Sequence, residues 1–382
     1  MSAEEVVTES GAVVPQLRLT RDLVLRRSVA VYGPSGSGKT VVTKHILDLL
    51  RGYVDSCIVI SPTECSNHSF QAYVPAPLIH YDMTAADPKN PNKRIAGVAG
   101  VERFLESIWK RQEFITSLYE SVNLPSTLKL LFQRIDEKYQ EQARKDLDRI
   151  SAMETRMKNQ VRKKFRAEPD TMMPSLQKVK KRFEEIRTKL FKKYIRKDFL
   201  KLWNNPRLSE IERRALHYVD IKPGLVLIFD DCASDLSLIV NKPIFKKLFY
   251  QNRHNHITVI STYQDDTDLK PNLRKNAFLS IFCTQVVAST FFNRTGGGGY
   301  PKDVKEQVRD CAPAIFAREY RTLAYLRDDP QRQVFYHFTA PAPLERPFCS
   351  PAVQELCETM KAPAGDLDKN NPYYDAFDLP SI

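Results

Sequence analysis

The chain has 382 residues, 42% of them hydrophobic and 10% aromatic, a composition that supports a sizeable packed core and one or two domains. Its longest apolar runs, such as Leu225–Phe229, are far too short to cross a bilayer. The opening residues lack the basic and apolar regions of a secretory signal, and seven scattered cysteines with no CxxC pair speak for reduced thiols and against a zinc site. The formal net charge of +12 is concentrated in one place. Residues 129–214 hold 26 Lys plus Arg against 13 Asp plus Glu, out of 58 and 46 in the chain, which leaves 32 against 33 elsewhere. A like-signed field of that kind favours polyanions.

Residues 1–20 read as a flexible lead-in, and Leu23–Leu25 with Val29–Val31 bracket a first strand. Directly after it stands Gly33-Pro34-Ser35-Gly36-Ser37-Gly38-Lys39-Thr40, then Val41 and a helical segment to Leu50. This is G-x-x-x-x-G-K-[ST] between a strand and a helix, the context in which the pattern has meaning. Its glycines let the backbone curl so that N–H groups face inward as a nest for phosphate oxygens. The helix beginning near Lys39 adds its positive end. Lys39 can reach β- and γ-phosphates, and the Thr40 hydroxyl can ligate Mg²⁺. ATP and Mg²⁺ are therefore the expected ligands of residues 33–41. A glycine-rich turn with no ligand would leave the lysine unexplained.

Ser56–Ile60 reads as a buried strand ending in the loop Ser61-Pro62-Thr63, and Gly97–Arg111 has helical spacing. From Leu128 the texture changes. Apolar residues recur three or four apart through Ile135, Leu147 and Val161, and again from Leu176 to Leu202, with charged residues between them. Glu168–Ser175, with Pro169 and Pro174, breaks the pattern. Two long amphipathic helices of roughly 40–55 Å in an antiparallel coiled-coil hairpin are expected, inserted in and projecting from the core. Further strands are Leu225–Phe229, ending in Asp230-Asp231; Ile257–Ser261, ending in Thr262-Tyr263-Gln264; and Ala277–Phe282. Four glycines within Thr295–Tyr300 make a flexible loop, or a pore loop with Arg294 beside it. Thr322–Leu326 and Gln333–Phe338 flank Asp328-Asp329-Pro330 as a hairpin, and the acidic tail from Asp366 is expected to be disordered alone, or to carry a docking peptide at Tyr373–Leu379.

The expected fold class is α/β: a P-loop NTPase of the ASCE or RecA-like kind, with a mostly parallel sheet, helices on both faces and an inserted α-helical coiled-coil hairpin. The expected division is a lead-in at 1–20, an ATPase core at 21–115 and 216–345, a basic helical insertion at 116–215 and a tail at 346–382.

A P-loop needs a carboxylate at the end of a hydrophobic strand to hold Mg²⁺. Asp230 is placed for that role. Asp231 stands where ASCE ATPases, a large branch of P-loop enzymes, usually carry the Glu that activates the attacking water. The shorter side chain needs a strand shift or an extra water, and Asp235 is a weaker rival. Gln264 can touch the γ-phosphate or the water. Arg253 and Arg274 are candidates for an arginine finger acting on a neighbouring subunit.

The stretches GPSGSGKT, LVLIFDDC, NRHNHITVISTYQ and LKPNLRKNA resemble the genome-packaging ATPases of large eukaryotic DNA viruses, the poxvirus-type members of the FtsK–HerA superfamily. Arg253-His254 before a strand that ends in Gln264 is part of the match, as is Arg274-Lys275-Asn276, similar to the family's Arg-x-Asn. The resemblance covers roughly residues 20–65 and 224–290, outside the hairpin. It implies an ATP-hydrolysing motor that threads double-stranded DNA into a capsid, without regard to sequence. It also implies a homo-oligomeric ring, a hexamer or pentamer, with a capsid or portal component as partner and a virus assembly site in the host cell as location. It makes Gln264 the sensor and favours Arg274 over Arg253 as the finger. The basic insertion departs from the pattern, so the DNA path does not transfer with it.

Three rivals stand beside this reading. An ATP-switched virion assembly protein would act through its coiled-coil hairpin, with turnover stimulated by a protein and not by DNA. A nucleoside kinase would need an acceptor pocket and a basic lid, and the paired carboxylates speak against it. A translocase or helicase of a mobile element would share the same core chemistry.

Overall fold

The computed structural model describes residues 5–87, 89–120, 123–264, 277–293, 300–327 and 334–359. Arg274, the four-glycine run, Asp328-Asp329-Pro330 and the Tyr373–Leu379 segment lie outside the described residues. The chain divides into two compact units, one formed by the described residues up to Thr116 and from Lys222 on, the other by Ser117–Ile221.

The first unit is organised on an eight-stranded sheet. Its strands are β3 (Ser28–Tyr32), β4 (Ser56–Ile60), β5 (Ile79–His80), β8 (Leu225–Asp230), β9 (Ile257–Tyr263), β10 (Leu279–Phe282), β11 (Arg321–Leu326) and β12 (Phe335–Thr339), in the spatial order β12-β11-β10-β3-β9-β8-β4-β5. The six strands from β10 to β5 run parallel, while β11 and β12 pair antiparallel at one edge. Every residue of β3, β4, β8, β9 and β10 is buried. A sheet buried at both odd and even positions is covered on both faces, which is why these strands lack an alternation of apolar and charged residues. The helix α2 (Lys39–Leu50) leaves β3 and buries Val42, Ile46, Leu47 and Leu50, a spacing of one helical face.

Three sequence expectations change in this unit. Leu23–Leu25 is not strand: Leu23 and Val24 lie in the short helix α1 (Arg21–Val24), Leu25 is its C-cap, and Arg26, with φ 57°, turns the chain before β3. Residues 5–20 are not a free lead-in. The hairpin β1 (Val6–Val7) with β2 (Val13–Val14) forms, Pro15 and Leu17 exchange backbone hydrogen bonds with His337 of β12, and Val6, Val14, Leu17 and Leu19 are buried. Nor is residue 346 the start of a tail. Phe348 N–H donates to the Tyr73 carbonyl, Ser350 N–H to that of Asp55, and a helix at Pro351–Thr359 buries Val353, Leu356 and Cys357. Both segments hold enough apolar surface to offset the ordering of their backbone. A second small hairpin, β6 (Ala85–Asp87) with β7 (Asn90–Ile95), precedes the helix Gly97–Glu120.

The second unit is helical. A helix at Asn123–Phe132 ends before Asp136, which caps the next helix by accepting from Lys138 N–H. The two long arms are Glu137–Lys164 and Pro169–Lys197, 28 and 29 residues, or about 42–44 Å each at 1.5 Å per residue. They run antiparallel, because their cross-pairs step in opposite directions: Asp146 accepts from the Tyr194 hydroxyl at 2.8 Å, and further out Glu154 pairs with Arg187. Leu128, Leu131, Ile135, Ala143, Leu190 and Tyr194 share one core at the base. The expected break over Glu168–Ser175 shrinks to the turn at residues 165–168. Pro169 opens the second arm, where no N–H is needed. Pro174, its sixth residue, removes only one early ladder bond at an exposed position.

Candidate nucleotide site

The end of β3 fixes where the glycine-rich loop begins. Gly33 N–H donates to the Tyr263 carbonyl of β9 at 3.0 Å, and Cys283, which follows β10, backs the other side. A Cβ on Gly33 would stand 2.3 Å from Ser37 Oγ and 2.9 Å from Cys283 Cβ, so this position admits only glycine. Gly36 and Gly38 have φ of 77° and 97°, backbone that L side chains rarely adopt. Ser37 closes the turn by donating through its N–H and Oγ to the Pro34 carbonyl. Gly38 is then the N-cap of α2, with no side chain capping it. The first-turn N–H groups of Lys39, Thr40 and Val41 are thereby left for an anion. Pro34, Ser35, Gly36 and Val41 are exposed around the rim, Thr40 is half-buried and Lys39 is buried.

The Lys39 ammonium donates to the Gly33 carbonyl at 2.7 Å and to the Pro34 carbonyl at 3.2 Å, and lies 4.0 Å from Asp231 Oδ1. The carboxylates come from two strands away. One strand, β9, separates β3 from β8, and the register sets Asp230 opposite Thr262, which also pairs with Val31 of β3. Asp230 is buried, and its two oxygens accept from the Thr262 hydroxyl at 2.8 Å and the Ser61 hydroxyl at 2.9 Å. Burial pushes the Asp230 carboxyl above the usual carboxylate range. The two hydroxyls pull it back, the neighbouring Asp231 charge adds to the rise, and Lys39 opposes it. Ser61 and Thr262 orient the carboxylate in the way outer-shell groups orient metal ligands.

Asp231 breaks out of the strand. Its φ of 52° is left-handed, a conformation aspartate tolerates better than most residues, and its N–H donates to the Thr262 hydroxyl at 3.1 Å. Gln264, just past β9, donates from Nε2 to Asp231 Oδ2 at 3.3 Å. Asp231 Oδ1 is buried and accepts no hydrogen bond among the described residues. The donor set fits Mg²⁺ and a triphosphate: a cradle with no room for a Cβ, a lysine, the hydroxyl of Thr40, the hard oxygens of Asp230, and an orphaned carboxylate oxygen beside them.

Lys39, Thr40, Asp230, Asp231 and Gln264 thus gather at the carboxyl ends of three strands, where open α/β sheets bind ligands. Arg253 does not join them. It is exposed in the turn Asn252–Asn255 that precedes β9, so it sits at the other end of that seven-residue strand, about 23 Å away by strand rise. Asp235, the rival base, lies in the helix after β8 with its carboxyl raised by burial. Sequence reasoning missed Ser61, Thr262 and Cys283 as supports; the hydroxyls that close two apolar strands are the one signal that could have found them. It also missed Glu64. That residue is buried after β4, and both its oxygens are occupied by the N–H groups of Ser69 and Phe70, which marks it as a loop anchor.

Loop, sheet order and strand-end carboxylates together define a P-loop NTPase fold of the ASCE type. No family model matches the chain. Its sequence is 36% identical over 379 residues to proteins of African swine fever virus named "uncharacterized protein B354L", among them those of a Malawi tick isolate, a Kenya pig isolate and the Badajoz strain, with 98% of this chain and 99% of each relative covered. The chain belongs to this B354L family of a large DNA virus. Among solved structures it is similar to the DNA-packaging ATPase B204 of Sulfolobus turreted icosahedral virus, at 15% identity and a TM-score of 0.34 over 83% of this chain and 98% of that one. It is also similar to the plasmid coupling protein TrwB in complex with ADP and Mg²⁺, at 13% identity and a TM-score of 0.35 over 92% of each chain. Both overlays are loose. Among the described residues no helix is long and apolar enough to cross a membrane.

Proposed function

We propose that this protein is an ATP hydrolase that drives double-stranded DNA into a viral capsid as a homo-oligomeric ring. The single observation that carries hydrolysis is Asp231 Oδ1, buried, without a hydrogen bond among the described residues and 4.0 Å from the phosphate-loop lysine. In this reading Asp231 takes the proton of the attacking water, and Gln264, already bonded to the other oxygen of Asp231, positions that water and senses its loss. Residues 33–41 cradle the phosphates, and Lys39 turns from the loop carbonyls to the β- and γ-phosphates. Thr40 and Asp230 hold Mg²⁺, which when bound neutralises charge on the phosphates. Arg274, or Arg253, acts on the site of a neighbouring subunit. For Arg253 its distance from its own loop leaves no other way to act.

Membership of a viral family and the resemblance to packaging ATPases support the cargo. So does the outer half of the helical hairpin, where Arg162, Lys163, Lys164, Arg166, Lys181 and Arg182 are all exposed. Such a surface meets phosphates without reading sequence, and its grip weakens with salt. The ring docks on a capsid or portal component at the assembly site in the infected cell. A second reading, an ATP-switched assembly protein acting through the hairpin, draws on the ion pairs within it, such as Glu154 with Arg187 and Lys158. Steady-state ATP hydrolysis with and without long duplex DNA, across a salt series, separates the two. The motor predicts stimulation that fades as salt rises. Turnover indifferent to DNA at every salt, yet raised by a capsid protein, overturns it in favour of the scaffold.

A further inference from the structure

The catalytic groups give the nucleotide site a direction. Asp230 ends β8, Asp231 follows it and Gln264 follows β9, so all three lie on one side of β3. Lys39 leans the same way, toward Asp231. A terminal phosphate held for hydrolysis occupies that side. The ribose and base of the same nucleotide must then extend past the loop the other way, over the ends of β10 and β11.

One aromatic residue waits there. β11 is antiparallel to β10, with Leu323 opposite Phe282, so the residue before its first member, Tyr320, lies at the edge where β3 and β10 end. Its ring carbon Cδ1 comes within 3.9 Å of where a Cβ on Gly38 would stand, which puts the ring against the N-cap of α2. The residue is 69% exposed. Its backbone is left-handed at φ 59°, in the turn where Arg321 N–H donates to the Arg318 carbonyl. A bulky aromatic residue in that conformation is a genuine outlier, and outliers of this kind cluster at ligand sites. Core packing does not explain it, since most of the ring faces solvent. The bland alternative, a tyrosine left over on a surface turn, does not account for its place beside the glycine at the start of α2.

We infer that Tyr320 is the platform on which the base of the bound nucleotide stacks. This rests on the proposed nucleotide site and adds its second half: the loop holds phosphates, and Tyr320 holds the heterocycle. A phenol ring offers a π-face to any base, so the contact adds affinity more than base selectivity.

The test is calorimetric titration of the full chain with Mg²⁺ and two probes, a non-hydrolysable β,γ-methylene ATP analogue and inorganic tripolyphosphate, which has no base. For Tyr320→Ala the expected result is about tenfold weaker binding of the analogue, ~1.4 kcal/mol, with tripolyphosphate binding unchanged. Tyr320→Phe and Tyr320→Trp should keep the wild-type affinity for both, and Tyr320→Gly, which removes the backbone strain, should behave like Tyr320→Ala. Unchanged analogue binding in Tyr320→Ala overturns the stacking role and leaves the phosphate site standing. An equal loss of both probes also overturns it, because the ring would then be shaping the loop. If the wild-type chain binds neither probe, the nucleotide site itself fails and Tyr320 with it.

Discussion

Asp231→Asn isolates the chemical step from binding. The amide has nearly the shape of the carboxylate, so the Gln264 contact at 3.3 Å and the backbone bond to Thr262 at 3.1 Å both survive. What disappears is the proton acceptor, together with the negative charge 4.0 Å from Lys39. Loss of a positioned general base lowers the rate by about 10²–10⁴-fold, or ~2.7–5.4 kcal/mol of barrier at 1.36 kcal/mol per tenfold. Affinity should move the other way. A carboxylate beside a triphosphate repels it, and Lys39 without its anion is freer to face phosphate. Single-turnover hydrolysis and equilibrium nucleotide binding on the same preparation therefore predict a variant that holds ATP at least as tightly as wild type and hardly cleaves it. Hydrolysis within threefold of wild type would refute the base assignment, and parallel loss of binding would mean that Asp231 shapes the site instead.

Asp230→Asn should abolish Mg²⁺-dependent turnover while raising thermal stability without metal at neutral pH. Burial raises the Asp230 carboxyl in the folded state, so the charged form costs stability above the unfolded value. The gain should shrink as pH falls through the raised folded value and vanish below the ordinary carboxylate value, where the native residue is protonated in both states. A variant less stable than wild type at pH 7 would contradict this. Gly33→Ala forces a Cβ to within 2.3 Å of Ser37 Oγ; the overpacking should cost about 1–3 kcal/mol in urea unfolding and loosen nucleotide binding although no phosphate-contacting side chain has changed. Glu154→Ala removes the carboxylate that pairs with the partly exposed Arg187 and Lys158 in the hairpin and should destabilise the chain by about 0.2–1 kcal/mol. Lys158 first, then Arg187, holds the Glu154 carboxyl low against the opposing effect of burial. Its contribution is thus present above the unfolded pKa and lost as pH falls through the folded one, so the variant and wild type should converge in acid.

The site was legible where a short pattern fixes both chemistry and place. Residues 33–40 announce a loop because its glycines stand where backbone or packing excludes a side chain; Asp230-Asp231 close one long apolar run, and Gln264 closes the β-branched stretch ITVISTY, both of which read as buried strands. The sheet order followed from nothing local. That β9 separates β3 from β8 comes in part from pairing such as Ser28 with Val259, 231 residues apart in the chain. Leu23–Leu25 misled because three apolar residues suit a helical turn as well as a strand, and a left-handed Arg26 gives no sign in composition. Pro174 looked like a break because a proline's cost depends on how far inside a helix it lies. The N-terminal hairpin and the Pro351–Thr359 helix were hidden by mixed composition, since their burial depends on partners such as His337 and Tyr73 that no window of sequence contains. Tyr320 was invisible for the same reason: Gly38, beside it in space, stands 282 positions earlier in the chain.

Displacement of a triplex-forming strand reads ATP-driven movement along duplex DNA directly. A third strand bound at one end of a long duplex is released only when something travels to it. A motor releases the strand with ATP and Mg²⁺, releases none with the non-hydrolysable analogue, and releases none when Asp231→Asn replaces wild type. A protein that binds the duplex and hydrolyses ATP, yet leaves the third strand in place on duplexes of every length, would contradict it.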